Sequence, residues 1–502
     1  MKTHLFTLVL LSGPSLAAPV SDIASSSSSC DDPQIQSSSN PSGDGTHIED
    51  VFNVLTDDRW TSSCSKFLQP GSNDQNLKAL DLGWRYLHAL NEAAIAALSK
   101  EGYENDEENR RLATRFFGIV PGVARKRKGG YFKGRVEEVE GLPGGRLDGE
   151  KLGLARKWYP NVQKILDNRL PSPQRPWLFC DSDFMALQTG TDLVQNEDRY
   201  HVLKTQNSYM TVEDALAYHP HRQAVLQANW LFKSDIPATT YIPYSKQEFP
   251  VAVQSPAKGP APFPLDSKGR SHECGTGVDG ITRPARELKV KKTVPGLTWA
   301  SEFVYRIIIC PRSFVGHSRR PAWTQMLDTT PQPEGKVLDE MGIGALTLYH
   351  ELFHLQTEVF QGTMRISPDP VVHRARCERS GDDRCVGGMP EKWYRSKSYF
   401  TTSKVEPNGA VTSLPNVAGA AESMFLALYD LASPVRDRTV QPTNPAGWKS
   451  HFSPENYVWF ALAVYLHQKN KGDFWSSGVC RKRVETREES LGLPRGGRGR
   501  VP

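Results

Sequence analysis

The sequence predicts an α+β protein, mostly helical, that also contains a small sheet and long loop insertions. Apolar residues recur at helical spacing in several segments. One segment is β-branched and apolar throughout, which is typical of a buried strand. The 40 glycines and 36 prolines among 502 residues indicate long loops. Apolar residues make up 38% of the chain, which is enough to build a packed core.

The first 18 residues have the features of a secretory signal peptide. Lys2 supplies a positive charge, Leu5–Leu11 form a short apolar run, and Ser15, Leu16 and Ala17 place small residues for cleavage near Ala17 or Ala18. The alternative is a buried N-terminal helix. No later stretch approaches the roughly 18 apolar residues of a membrane span. We therefore expect a secreted, extracellular protein that does not cross a membrane.

Composition divides the remaining chain into three parts. Residues 19–47 are Ser-rich and polar, which predicts disorder. Residues 48–475 form the predicted folded domain with its loop insertions. Residues 476–502 end in a glycine-rich basic stretch, which predicts a disordered tail.

The first half of the domain contains both helical and extended patterns. Apolar spacing predicts helices over Leu77–Gly102 and Glu107–Phe117. The stretch Val162–Tyr305 indicates short strands and loops. The β-branched run Phe303–Val315 predicts a buried strand that Pro311 brings to its end.

The second half is predicted to be mostly helical. Helices are expected over roughly Ile343 to Phe360, over Asn416–Ser433 and over Ser453–Gln468. In the last of these, Ser453 is a typical N-cap, followed by a proline and a glutamate in the first turn. A polar, glycine-rich loop spans Gly362 to Pro415.

Charge and cysteine content limit the classes of function. The net charge is only +5 and no basic stripe is interleaved with aromatic residues, so we expect no nucleic-acid partner. The basic run Ala124–Gly130 is a solvated loop or a protease-processing site. An even number of cysteines in a secreted chain predicts disulfides, including a small loop closed by Cys377 and Cys385. The eight cysteines are at positions 30, 64, 180, 274, 310, 377, 385 and 480.

The segment Leu346–Glu358, LTLYHELFHLQTE, holds the pattern His-Glu-x-x-His. Residues i and i+4 share one face of a helix, so His350 and His354 can direct two imidazole nitrogens at one metal ion. Glu351 lies close enough to accept a proton from a water molecule that the metal activates. This combination is the metallopeptidase motif.

Two explanations without a metal site compete with this interpretation. A chain with 13 histidines can match the pattern by chance, and a structural helix can bury two histidines in its core. The flanking residues weigh against both, because Leu346, Leu348 and Leu352 help bury the helix almost all round. Two histidines and a glutamate are costly in such a helix unless something pairs them.

Three segments together resemble a known family. The runs RIIICPRSF, LTLYHELFHL and ENYVWFA are similar to secreted fungal metallopeptidases of the deuterolysin type, the aspzincins, and to their relatives with lysine-specific metallo-endopeptidase domains. In that family a strand ending in Cys-Pro precedes the His-Glu-x-x-His helix, and a later helix begins near Asn-Ala-Asp-Ser-Tyr-x-x-Phe-Ala. The stretch Ser453–Ala461 occupies the later position here and keeps the Tyr, Phe and Ala. The resemblance spans about residues 50–470, but its sharp motifs cover about fifty residues.

The resemblance implies a zincin-like fold, a Zn²⁺ cofactor and hydrolysis of peptide bonds. It also exposes a departure, because aspzincins take their third zinc ligand from the aspartate of Gly-Thr-x-Asp-x-x-Tyr-Gly. This chain has Gly362 and Thr363, but position 365 is Arg and no Tyr-Gly follows. Counting back from Leu431-Ala432, as the family's arrangement implies, leads to Gly419–Ser423, where the only carboxylate is Glu422.

Several residues therefore remain candidates for the third ligand. Glu422 is favoured because it lies on a predicted helix among apolar neighbours, where an unpaired carboxylate is expensive. Asp369 is the runner-up, and the same loop also contains Asp382, Asp383 and His373.

The oxyanion of the reaction needs a hydrogen-bond donor, and Tyr429 or Tyr457 is the candidate for that role. Three functions compete. The first is a secreted zinc endopeptidase, a monomer acting on polypeptide substrates, in which Glu351 is the general base. The second is a non-catalytic extracellular zinc-binding protein, and the third is a disulfide-stabilised protein without metal. The missing third-ligand motif favours the second function, and the intact Glu351 favours the first.

Overall fold

The computed structural model describes the central part of the chain with internal gaps. The described residues are 46–67, 70–71, 74–119, 121–127, 136–143, 146–171, 175–217, 228–245, 274, 279–293, 296–316, 323, 327–361, 403–405, 411–413, 419–420, 423–424, 426–427 and 450–482. The predicted signal peptide, the Ser-rich segment up to residue 45 and the proposed Cys377–Cys385 loop lie outside them.

Nine helices in the described residues have complete bounds. They are α1 Ile48–Val51, α2 Ala79–Leu98, α3 Lys100–Asn105, α4 Glu107–Phe117, α5 Arg146–Leu166, α6 Val212–Ala217, α7 Pro311–Val315, α8 Leu346–Gln361 and α9 Pro454–Lys469. Short 3-10 turns cover Ser65–Phe67, Leu338–Met341 and Ser450–Phe452. Helical backbone also occurs at residues 420, 423–424 and 426–427.

The described strands are β1 Asn53–Val54, β2 Pro70–Gly71, β3 Asp74–Lys78, β4 Pro121–Arg127, β5 Val136–Pro143, β6 Trp177–Phe179, β7 Met185–Gln188, β8 Leu203–Thr205, β9 Ser208–Tyr209, β10 Ala228–Ser234, β11 Thr240–Ser245, β12 Gly280–Thr293, β13 Gly296–Ile309, β14 Ser403–Val405 and β15 Val411–Ser413. Seven of them form one mixed sheet in the order β1-β6-β13-β12-β11-β10-β7. β6 pairs in parallel with β1 and β13, whereas the pairs from β13 to β7 are antiparallel. The fold therefore combines a helical layer with a sheet.

The main hydrophobic core lies among the helices. Apolar residues of α2, α4, α5, α8 and α9 belong to one buried cluster, which also receives Ile307 and Ile309 from β13. Aromatic rings fill its centre: Trp158 and Tyr457 stack with ring centroids 4.8 Å apart, and Phe353 lies 4.9 Å from Tyr457. Rings in such offset contacts bury a large apolar area with defined geometry. The core thus fixes α8 against α5 and α9.

Several predicted elements differ in extent. Leu77–Gly102 is not one helix, because α2 ends at Leu98 and Ser99 caps the next helix by accepting a hydrogen bond from the Gly102 amide. The prediction of short strands and loops over Val162–Tyr305 is confirmed for β6 to β11 but was wrong at both ends of the range. The helix α5 runs to Leu166, and β12 and β13 are each 14 residues long.

The strand predicted over Phe303–Val315 ends earlier in the structure than expected. β13 stops at Ile309, and Pro311 begins α7, since proline fits the first helical position, where no amide hydrogen is needed. Ser453 occupies the N-cap position of α9 as predicted, but its side chain makes no capping hydrogen bond.

The prediction placed the start of the disordered tail too early in the chain, at residue 476. Residues 476–482 are ordered, because the Ser476 amide and hydroxyl both donate to the buried Glu108 carboxylate. The Cys480 amide donates to the Lys336 carbonyl, and burial raises the pKa of the Cys480 thiol to about 11. The rest of the predicted tail, residues 483–502, lies outside the described residues.

Two disulfides are present in the described residues, joining Cys64 to Cys180 and Cys274 to Cys310. The expectation that all eight cysteines pair was wrong for Cys480, which is a buried free thiol. Both bridges connect segments that flank the sheet, because Cys180 follows β6 directly and Cys310 follows β13. They tie these strand ends to distant parts of the chain.

A buried polar side chain joins three helices at the centre of the core. Asn91 of α2 is fully buried, and its amide donates to the Tyr159 carbonyl and the Gln163 side chain of α5. Its carbonyl oxygen accepts the Tyr349 hydroxyl of α8 at 2.9 Å. Buried polar groups that lose a partner are costly, so this contact sets the relative positions of the helices.

Replacing Asn91 with alanine should therefore destabilise the fold. The change removes three hydrogen bonds and leaves the buried Tyr349 hydroxyl unpaired, and we expect a loss of about 2–4 kcal/mol in the free energy of unfolding. Urea unfolding followed by tryptophan fluorescence measures it. The control is Glu92→Ala, because Glu92 is adjacent and exposed. An equal effect of the two changes would contradict the assigned role of Asn91.

Candidate functional site

The two motif histidines face each other on the buried helix α8. His350 and His354 are 9% and 5% exposed, and their Nε2 atoms lie 3.1 Å apart. Their rings are 4.9 Å apart between centroids. Two nitrogens that each bind a tetrahedral zinc at 2.0–2.1 Å lie roughly 3.3 Å from one another. The ring nitrogens thus have the spacing that two ligands of one metal ion need.

A glutamate from another helix holds one of these rings. The Nδ1 atom of His350 lies 2.8 Å from Oε2 of Glu455, in the first turn of α9. The other carboxylate oxygen, Oε1, accepts the indole N–H of Trp459 at 2.7 Å. Glu455 is only 1% exposed, so these bonds offset the cost of burying its charge.

The contact with Glu455 also selects the tautomer of His350. A carboxylate accepts hydrogen bonds, so it places the imidazole proton on Nδ1 and leaves the lone pair on Nε2. Histidines that bind metals in proteins almost always have such a partner on the second ring nitrogen. The ring of His350 is therefore oriented with the lone pair of Nε2 towards His354.

Glu351 lies on the sheet side of α8. Its side chain runs against the start of β12, where a Cβ atom on Gly280 would come within 2.8 Å of Oε1. The Glu351 carbonyl accepts the Thr282 hydroxyl at 3.0 Å, which ties α8 to the same strand. Only glycine leaves room for this carboxylate at position 280. The strand thus limits the positions that the Glu351 carboxylate can take.

None of the third-ligand candidates lies in the described residues. Glu422, Asp369, Asp382, Asp383 and His373 all fall in the gaps. Within the described part of the chain, no group of three or more His, Cys, Asp or Glu side chains forms a metal site. The two histidines are the ligand pair that the structure brings together.

The neighbours of Glu422 are nevertheless part of the same core. Ala420 and Met424 belong to the buried cluster that contains α8 and α9. The Asn456 side chain, one residue after Glu455, donates to the Ser423 carbonyl at 2.8 Å. The chain that flanks Glu422 is thereby attached to α9, the helix whose Glu455 contacts His350.

Of the two tyrosines predicted as oxyanion donors, the structure describes only Tyr457. Tyr429 lies outside the described residues. Tyr457 is fully buried among aromatic rings and donates its hydroxyl to the His451 carbonyl at 2.8 Å. Burial raises the pKa of the Tyr457 hydroxyl well above its usual value. Tyr457 therefore serves the core, because its hydrogen is already donated to the backbone.

A divalent metal ion fits the residues present. Two buried imidazole nitrogens converge, and one of them is oriented by a carboxylate behind it, which is the donor chemistry that zinc prefers. Glu351 follows the first histidine directly in sequence, and its carboxylate lies against the start of β12. The histidine pair thus supplies two donor atoms of the kind that bind a divalent metal ion.

Sequence analysis missed the role of Glu455, which it placed in the first turn of α9 only for the helix dipole. A signal was available, since a carboxylate in the first turn of a helix that is apolar nearly all round requires a buried partner. The structure shows that this partner is His350.

Replacing Glu455 with glutamine should weaken zinc binding about 10–100-fold, because the amide no longer fixes the tautomer of His350. Competition titration of the purified protein against a chromophoric chelator measures the affinity. The control is Glu101→Gln, because Glu101 is exposed on α3. Unchanged zinc affinity in Glu455→Gln, with an intact fold, would show that Glu455 does not orient the ligand.

Comparison with known proteins identifies no relative: no family model, no curated protein and no solved structure matches this chain. Among the described residues, no helix is both long enough and apolar enough to cross a membrane.

Proposed function

We propose that the protein is a secreted zinc-dependent endopeptidase of zincin-like fold. The observation that carries the proposal is the 3.1 Å approach of the His350 and His354 Nε2 atoms, with Glu351 between them in sequence. The two disulfides fit an oxidising compartment, which supports secretion. The resemblance of three sequence segments to aspzincins supports peptide-bond hydrolysis.

In this proposal the metal is held by His350, His354 and Glu422. Glu422 is favoured over Asp369 because its neighbours have fixed places. Ala420 belongs to the core that contains α8, and Ser423 is bonded to Asn456 of α9. An unpaired carboxylate among such apolar neighbours is expensive, and a metal ion would pair it.

Each protein group then has one task in the reaction. A bound zinc ion supplies Lewis acidity, which polarises the scissile carbonyl and lowers the pKa of water to about 7. Glu351 accepts the proton of the attacking water and passes it to the leaving amine. Glu455 keeps His350 in the tautomer that binds metal. A tyrosine hydroxyl supports the oxyanion, and Tyr429 is the remaining candidate.

A second function is favoured by one specific observation. Arg365 stands where the family aspartate is expected, and no Tyr-Gly follows it. A non-catalytic extracellular zinc-binding protein would need the histidine pair but no general base. Glu351 distinguishes the two functions, since metal capture alone does not require a carboxylate between the histidines.

The decisive measurement combines zinc content and casein hydrolysis on the full secreted chain. We expect zinc in the purified protein and hydrolysis that a chelator abolishes and added Zn²⁺ restores. The change Glu351→Gln should reduce hydrolysis about 10²–10⁴-fold, because the general base is lost, while zinc content stays the same. The control Glu340→Gln changes an exposed glutamate of a surface ion pair.

Three other results would overturn the endopeptidase assignment. Zinc binding without hydrolysis of any peptide substrate supports the non-catalytic zinc-binding protein. Hydrolysis that Glu351→Gln leaves intact removes Glu351 as general base. Absence of any metal in the native protein, with no uptake from solution, supports the third function.

The identity of the third ligand has its own test. We expect Glu422→Ala to lower zinc affinity by more than the roughly 100-fold that loss of an outer hydrogen-bonding partner costs. Asp369→Ala is the matched control and should leave zinc affinity unchanged. The opposite pattern, measured by the same chelator competition, would assign the ligand to Asp369.

A further inference from the structure

One carboxylate outside the motifs contacts the segment that contains the proposed third ligand. Asp339 lies in the 3-10 turn Leu338–Met341, seven residues before α8. Its Oδ1 atom accepts the backbone amide of Ala420 at 2.7 Å. Ala420 is two positions before Glu422 in sequence.

The turn that holds Asp339 is itself firmly placed. Leu338 and Met341 are buried in the main core, together with Ala420 and Met424. The Leu338 amide donates to the Gly478 carbonyl, and a Cβ on Gly342 would lie 3.1 Å from the Trp459 ring. Asp339 is thus a fixed acceptor, attached to the same structural unit as the histidine pair.

Asp339 approaches the segment so closely that a side chain at position 419 would have to displace its carboxylate. A Cβ atom on Gly419 would lie 2.5 Å from Asp339 Oδ1, and the next nearest atom, Asp339 Cγ, would be 3.5 Å away. The Ser423 amide donates to the Gly419 carbonyl at 2.9 Å, so the helical turn begins at this contact. Carboxylates are favourable at the start of a helix, where backbone amides have no partner within the helix.

We propose that Asp339 is a positioning residue for zinc binding: its carboxylate fixes residues 419 and 420, and through them the segment that carries Glu422. This inference rests on the proposed function. Asn456 holds the same segment at Ser423, so the segment is fixed at both ends of the turn. A ligand carried on a segment that is fixed in this way has less freedom to lose when the metal binds.

The test uses two variants of Asp339 in the full-length protein. Asp339→Ala removes the acceptor, and we expect zinc affinity to fall about 10–100-fold. Asp339→Asn keeps a carbonyl oxygen that can accept the Ala420 amide, so it should restore affinity to within about threefold. Glu340→Ala is the control, because Glu340 is the exposed neighbour in the same turn.

A double-mutant cycle with Gly419 makes the test specific. Gly419→Ala should lower zinc affinity in the wild-type background, because the new methyl group displaces the Asp339 carboxylate. In the Asp339→Ala background this clash is absent, and the same change should have little further effect. Independent, additive losses would overturn the proposed contact.

A spectroscopic measurement separates ligand positioning from general destabilisation. Wild-type protein loaded with Co²⁺ should show the strong visible absorption of a tetrahedral site, and Asp339→Ala should weaken it while far-ultraviolet circular dichroism stays unchanged. If Asp339→Ala does not fold, the Gly419→Ala and Asp339→Asn variants provide the comparison.

The inference and the proposed function fail in different ways. If wild-type protein binds no metal, the proposed function falls. If wild-type protein binds zinc and Asp339→Ala binds it equally tightly, only the positioning role falls.

Discussion

The buried contact between Glu455 and His350 links the two helices on which the candidate site depends. A carboxylate with 1% exposure is expensive to keep charged, and the protein offsets this cost with the imidazole Nδ1 and the indole of Trp459. Losing either partner would leave one carboxylate oxygen of Glu455 without that hydrogen bond in the core, which is costly. The same bond that stabilises Glu455 directs His350 Nε2 towards His354, so packing and ligand geometry are set together.

A rigid scaffold surrounds this contact. Asn91 connects α2, α5 and α8, and the Tyr159 hydroxyl donates to the Tyr457 carbonyl, which connects α5 to α9. Aromatic rings fill the space between these helices. Metal sites work best when the ligands lie on helices or strands whose positions are fixed by packing and hydrogen bonds. His350 has such support through Glu455, and α8 has it through Asn91 and the aromatic core.

The sheet contributes to the site through its central strand. Gly280 and Thr282 at the start of β12 lie against Glu351, one through the absence of a side chain and the other through a hydrogen bond. The parts of the site thus come from α8, α9 and β12, which are far apart in sequence. The described residues combine helices with a mixed sheet.

The sequence by itself predicted the elements whose signal is local. The apolar periodicity located α4, α8 and α9 to within a few residues, and the spacing in His-Glu-x-x-His placed both histidines on one helical face. It predicted only the second half of the long strand β13, and it did not predict β12 or the ordered residues 476–482. Their stability comes from partners far away in sequence, such as Glu108 for Ser476.

The roles of individual polar residues required the tertiary structure for the same reason. Whether Tyr457 donates to a substrate or to the His451 carbonyl depends on what surrounds its hydroxyl after folding. The partner of Glu455 is 105 residues away, and no local pattern identifies it. The sequence determined that two imidazoles would converge, because helix geometry alone sets that spacing. Only the folded chain decided which carboxylate orients His350, because that choice follows from the packing of α9 against α8.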